Sequence, residues 1–166
     1  MKTVFIIIGV LAVLLIGVAL LKYFPSSGFF ALFPNSPLNV KTEGTATIKN
    51  HTFKLFVAKT TQEQHQGLSD RDSLPEDTGM LFIFNTPDYY QFWMRHMKFP
   101  LDIIYINNNK IVTVLENVKN PAYSIENPPI LRPNAPADNV LEINAGLSKK
   151  YDIKIGDTID IKISKN

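Results

Sequence analysis

Residues Val4 to Leu21 are eighteen consecutive Val, Phe, Ile, Leu, Ala and Gly. No other feature limits the chain as strongly. As a helix rising about 1.5 Å per residue, the run spans roughly 27 Å, close to the ~30 Å hydrocarbon core of a bilayer. It has no polar face, which argues against a buried core helix. Lys2 precedes it and Lys22-Tyr23 follows, groups suited to the two membrane interfaces. A cleaved signal peptide would carry a shorter apolar region, about 7–15 residues, ending in small residues. Here large residues continue to Leu21, and Tyr23-Phe24-Pro25 follow. An uncleaved transmembrane anchor over residues 1–23 is therefore expected. With Lys2 and the amino terminus on one side, the positive-inside rule directs the rest of the chain outside the cytoplasm, at a cell membrane.

Residues 24–40 read as a linker, because Pro25, Pro34 and Pro37 oppose a helix or a central strand. The domain is expected over residues 41–166. Without Lys2 and Lys22, the 17 basic residues of the chain fall to 15, against 15 acidic ones. A formally neutral domain with no basic block has no electrostatic footprint for nucleic acid. The chain has no cysteine, which removes disulfide scaffolds, thiolate metal sites and cysteine nucleophiles.

Strand patterns dominate the domain. They are Ala46–Ile48, Phe53–Val57, Leu81–Phe84, the aromatic segment Tyr90–Met94, Ile103–Ile106, Ile111–Leu115, Val140–Ile143 and Thr158–Ile163. Asn107-Asn108-Asn109-Lys110 between two apolar runs predicts a hairpin. The Leu81–Phe84 run suits a strand buried on both faces. Thr60-x-x-Glu63 predicts a capping box, and Gly67 a helix stop. A second short helix is expected from Leu147 to Tyr151. Many short strands and few helices predict a mainly β fold, a β-sandwich or a partly closed barrel, with one or two short helices after the transmembrane helix.

Several charges interrupt apolar strand faces. With a period of two, Asp102 shares a face with Ile104 and Ile106, Glu116 with Val112 and Val114, and Glu142 with Val140. On the aromatic segment, Trp93, Arg95 and Met97 share a face. Arg71 follows the capped helix. Unpaired buried carboxylates are costly, and guanidinium pairs bidentately with carboxylate. Two readings follow for Arg71, Trp93, Arg95, Asp102 and Glu142. Either the charges form a structural ion-pair network, or they line a polar ligand pocket with Trp93 as a stacking wall.

Other chemistry has little support. His51, His65 and His96 are scattered with no metal-ligand spacing. No glycine-rich phosphate loop or nucleophile elbow is present, so no cofactor is expected. Asp102 and Glu142 would suit sugar hydrolysis only if their carboxyls stood about 5–9.5 Å apart across a cleft.

A set of spaced blocks is more specific. It runs through Gln66-Gly67-Leu68, Arg71, Leu74 and Gly79-Met80-Leu81-Phe82-Ile83-Phe84. It continues in Phe92-Trp93-Met94, Pro100 to Ile106, Glu116-Asn117, Pro136-Ala137, Val140 to Gly146 and Ile153 to Asp157. In this order the blocks resemble the DUF192 (UPF0127) family over roughly Ile48 to Ile163. The resemblance implies a mainly β domain of sandwich or jelly-roll type, often behind a secretion signal or membrane anchor in prokaryotes. It implies no function. The chain departs from the family pattern at Ser69, and at Arg95-His96-Met97, where Lys-Asn-Thr is usual. The function expected is a membrane-anchored binding or accessory module for an envelope glycan or a protein partner. The opposing expectations are a hydrolase using Asp102 or Glu142, and a purely structural module.

Overall fold

Alternating apolar residues fold into seven strands of a single curved sheet. The computed structural model describes residues 42–120 and 128–164. The strands are β1 (Gly44–Ile48), β2 (His51–Ala58), β3 (Thr78–Asp88), β4 (Leu101–Asn107), β5 (Lys110–Val118), β6 (Ala137–Asn144) and β7 (Ile159–Ile163). Two short helices, α1 (Thr61–Gln66) and α2 (Leu147–Lys150), complete the set. The strand order is β5-β4-β6-β3-β2-β1-β7. The neighbouring pairs are antiparallel except β2 and β3, which run parallel. A parallel pair needs a crossover, and α1 lies in it.

The sheet is a half-barrel. Its two edges meet at one point, where Lys110 bridges Thr158. The Ile111 amide donates to the Asp157 carbonyl at 2.9 Å, and the Ile159 amide to the Asn109 carbonyl at 3.0 Å. Among the expected architectures the partly closed barrel holds. The sandwich and jelly roll do not, because the described strands join one sheet and leave no second sheet to stack on it.

Both faces of the central strands are buried. The inner face gathers Ala46, Ile48, Phe53, Leu55, Leu81, Ile104, Leu141, Ile143 and Ile159. The outer face gathers Phe56, Leu68, Met80, Phe82, Met94, Met97, Ile103, Tyr105 and Val140. Adjacent residues of one strand thus enter different cores, as Leu81 and Phe82 do. That accounts for the unbroken apolar run of β3.

Local signals hold well. In α1, Thr60 Oγ1 accepts from the Glu63 amide at 3.2 Å, and Glu63 Oε2 accepts from the Thr60 amide at 2.8 Å. These backbone donors hold the Glu63 carboxyl below its usual range. Between β4 and β5, Asn108 and Asn109 both have positive φ, 49° and 60°, as a tight two-residue hairpin turn requires.

The aromatic segment Tyr90–Met94 differs from expectation. It forms no strand, only the single bridge of Phe92 to Leu131. It lies instead over the outer face, where Met94 and Met97 are both buried. Their three-residue spacing breaks the period of two, because the chain turns at His96 with φ of 55°.

The expected anchor (1–23) and linker (24–40) lie outside the described residues. Among the described residues, no helix is long and apolar enough to cross a membrane.

Candidate functional site

Two carboxylates lie deep in the sheet, and their surroundings differ in every respect. On β4, Asp102 is fully buried. Its Oδ1 accepts from the amides of Asn117 at 2.7 Å and Gly146 at 3.1 Å, and its Oδ2 from the amide of Ser148 at 2.7 Å. Gly146 is the N-cap of α2 and carries no capping side chain, so Asp102 supplies the cap from a neighbouring strand. Asn117 has φ of 51° beside a register shift in the β4–β5 pairing. There the carboxylate satisfies an amide that an irregular ladder leaves open. Three backbone donors answer the buried charge, with no arginine involved.

Glu142 on β6 is 5% exposed. It is flanked in register by Met80 on β3 and Ile103 on β4. Among the described residues, no hydrogen bond or ion pair reaches its carboxyl. Burial pushes the group up to about 8, so it is a neutral acid at pH 7. Tyr105 stands diagonally across on the same face, since it pairs with Val140. Its hydroxyl is buried without a hydrogen-bond partner, and burial and the Glu142 charge both raise its ionisation.

The Glu142 carboxyl lines a pocket of about 290 Å³ on the outer face. One wall is the end of α1 and the turn after it, including Gln64, His65 and Leu68. The opposite wall is Tyr90, Gln91, Phe92 and Trp93, while Phe82 and Phe84 come from β3. The rings brace each other. Phe84 stacks on Tyr90 with centroids 3.6 Å apart, and Phe82 meets Phe92 edge-on at 4.9 Å. Trp93, 44% exposed, stands at the mouth with His65 edge-on at 6.3 Å.

The two walls are tied together. Ser69 Oγ donates to the Arg95 carbonyl at 3.1 Å, and the Asp70 amide to the His96 carbonyl at 3.0 Å. Gln64 Nε2 donates to the Ile83 carbonyl at 2.9 Å. Gly67, with φ of 48°, lets the turn approach the sheet, since a Cβ there would stand 3.3 Å from Phe82 Cζ.

The structure therefore divides the five residues singled out from the sequence. Trp93 and Glu142 share the pocket, whereas Asp102 lies on the opposite face. Arg71 lines a different depression beside Glu43, Thr60 and Met80, with its guanidinium 4.9 Å from the Phe56 ring centroid. Arg95 is exposed and takes part through its backbone carbonyl. The expected ion-pair network is absent, because neither arginine forms a salt bridge with Asp102, Glu116 or Glu142. Glu116 is exposed, in the register shift where Glu116 and Asn117 together stand opposite Asp102. The face-sharing rule found buried carboxylates but could not identify their partners. Among the described residues, no group of three or more His, Asp or Glu is placed to hold a metal.

Sequence reasoning missed Gln64, His65, Tyr90 and Gln91 as lining residues. The only available signal was the aromatic density from Phe82 to Trp93.

None of the curated proteins matches the chain. Two solved structures share its fold. One is a protein of unknown function from Novosphingobium aromaticivorans DSM 12444, 32% identical, with TM-score 0.66, covering 75% of this chain and 89% of that one. The other, from Sinorhizobium meliloti 1021, is described as a candidate transcription regulator. It is 27% identical, with TM-score 0.66, covering 74% of this chain and 97% of that one. The family model DUF192, uncharacterized ACR, matches residues 43–161, nearly the whole described domain. With its blocks in order and its fold shared, the chain belongs to the DUF192 family.

Proposed function

We propose that the domain is a non-catalytic binding module that takes one ring of an envelope glycan into the pocket under Trp93. We further propose that residues 4–21 tether it to a membrane with the domain outside the cytoplasm. The observation that carries the binding reading is Glu142, a buried neutral acid facing a ring-sized, aromatic-walled pocket. Aromatic faces and a few polar groups are the usual composition of a small-molecule site. Trp93 at the mouth offers a stacking surface, and the amides of Gln66 and Gln91 offer hydrogen bonds to hydroxyls. A two-carboxylate hydrolase gains no support, because Asp102 does not reach the pocket and its oxygens are engaged by backbone amides.

Trp93 is the only tryptophan of the chain, so its fluorescence reports directly on occupancy. The full chain in mild detergent, mixed with purified envelope polysaccharides, should show saturable quenching and co-sedimentation. Trp93→Ala should weaken retention at least about tenfold, the loss of ~1.4 kcal/mol of contact, while the melting temperature stays near that of the parent. Retention unchanged in Trp93→Ala would overturn the reading. Release of sugar products that depends on Glu142 would replace it with an enzyme. Protease added to intact spheroplasts should digest the domain, and digestion only after lysis would reverse the proposed topology.

A further inference from the structure

The pocket is unusual in its charge. Among the described residues its lining includes no lysine, arginine or aspartate, and the titratable groups there are Glu142, His65 and Tyr90. From β4, the Tyr105 hydroxyl faces Glu142, and from β3 the apolar Met80 does. From α1, His65 stands at the rim, and from the segment over the sheet come Tyr90 and Trp93. Glu142 thus lies at a pocket of mixed aromatic and amide lining, and no hydrogen bond or ion pair from the described residues reaches its carboxyl.

We propose, resting on the reading of this pocket as the binding site, that it selects a ligand bearing a primary ammonium group, with Glu142 as its counter-ion. An amino sugar is the glycan unit that combines such a group with a ring of suitable size. Aromatic faces carry the negative side of the ring quadrupole, so Trp93, Tyr90 and Phe92 favour a cation over an anion. An anionic ligand would meet those faces and a carboxyl with no lysine or arginine among the described lining residues to compensate its charge. A neutral hydroxyl would leave Glu142 protonated and forgo its charge. An ammonium supplies both the charge and the three donors that the buried carboxylate lacks. The exchange balances without another reactant. The O–H bond of Glu142 breaks, the proton passes to solvent, and the ammonium takes its place. Burial, which keeps the carboxyl protonated when the pocket is empty, makes this proton release measurable.

The test uses the full chain in mild detergent with glucosamine, glucose and cyclohexylamine as probes. Trp93 fluorescence gives affinity, and calorimetry in two buffers of different ionisation heat counts protons. Glucosamine and cyclohexylamine should bind more tightly than glucose and release about one proton near pH 6. Amine affinity should rise about tenfold per pH unit from roughly pH 5 to 7. Glu142→Gln keeps the size and neutrality of the empty site, so it should fold. It should lose at least about tenfold in amine affinity and all proton release. Equal, pH-independent binding of glucose and glucosamine would overturn the ammonium inference and leave the glycan reading standing. Binding of cyclohexylamine with neither sugar would uphold the ammonium inference and overturn the glycan reading. No binding by any probe would overturn both.

Discussion

Asp102 and Glu142 occupy adjacent strands one residue out of register, with Asp102 opposite Ile143 and Glu142 opposite Ile103. Because side chains alternate across a sheet, the two carboxyls project from opposite faces. Asp102 enters the inner side and serves the backbone. Glu142 enters the outer side and faces the pocket. Two residues that look alike in the sequence thus have separate roles, and each makes its own prediction.

Replacing Asp102 tests the backbone role. Asp102→Ala leaves three amides without their acceptor, that of Ser148 buried and those of Asn117 and Gly146 part-buried. An unsatisfied buried group costs about 1–3 kcal/mol. We expect a loss of about 3–6 kcal/mol in urea unfolding. Asp102→Asn keeps one acceptor oxygen and should lose less. Ligand quenching of Trp93 should be unaffected wherever the variant remains folded. A loss within 0.5 kcal/mol, about the scatter of surface changes, would show that water satisfies these amides.

Glu142 makes stability depend on pH in the sense opposite to that of a salt-bridged carboxylate. Its folded value is about 8, above the ~4.3 of an unfolded glutamate. Between these values the folded chain holds one proton more than the unfolded chain. Stability should therefore be full below about pH 4.3 and fall by up to ~1.4 kcal/mol per pH unit until about pH 8. Urea midpoints across that window should fall for the parent and stay flatter for Glu142→Gln, which should be the more stable of the two at pH 8. Parallel curves would mean that the carboxyl ionises freely in the folded state.

Among the described residues Arg71 has no carboxylate partner to lose. Arg71→Ala removes a guanidinium over Phe56 and some stem packing, worth about 1 kcal/mol together. A thermal or urea melt should register a small decrease. A loss of about 3–5 kcal/mol, the cost of breaking a buried ion pair, would reveal an acidic partner outside the described residues.

Gly67 closes α1 with φ of 48° and ψ of −132°, a conformation that side chains resist. Gly67→Ala should cost about 1–3 kcal/mol. The new methyl would press on Phe82, a pocket wall, so ligand quenching should weaken too. Unchanged stability would show that the turn relaxes to another backbone conformation, and a crystal structure of the variant would then show a shifted turn.

The amino-acid sequence by itself determined the features that rest on neighbouring residues. The capping box at Thr60 and Glu63, the stop at Gly67, the Asn108-Asn109 reversal and the apolar runs of β3 and β4 all act within a few residues. They were legible for that reason, and so was the family signature. The role of each buried charge was decided elsewhere. Asp102 takes its donors from residues 15, 44 and 46 positions away, a distance at which residue spacing carries no information. A period of two assigns a side chain to a face of its own strand. It does not say whether that face turns inward or outward, nor what lies over it. Strand register, the parallel β2–β3 crossover through α1 and the fold of residues 89–100 over the sheet decided those matters. Together they gave Asp102 three amides and gave Glu142 a pocket in which no described residue hydrogen-bonds its carboxyl.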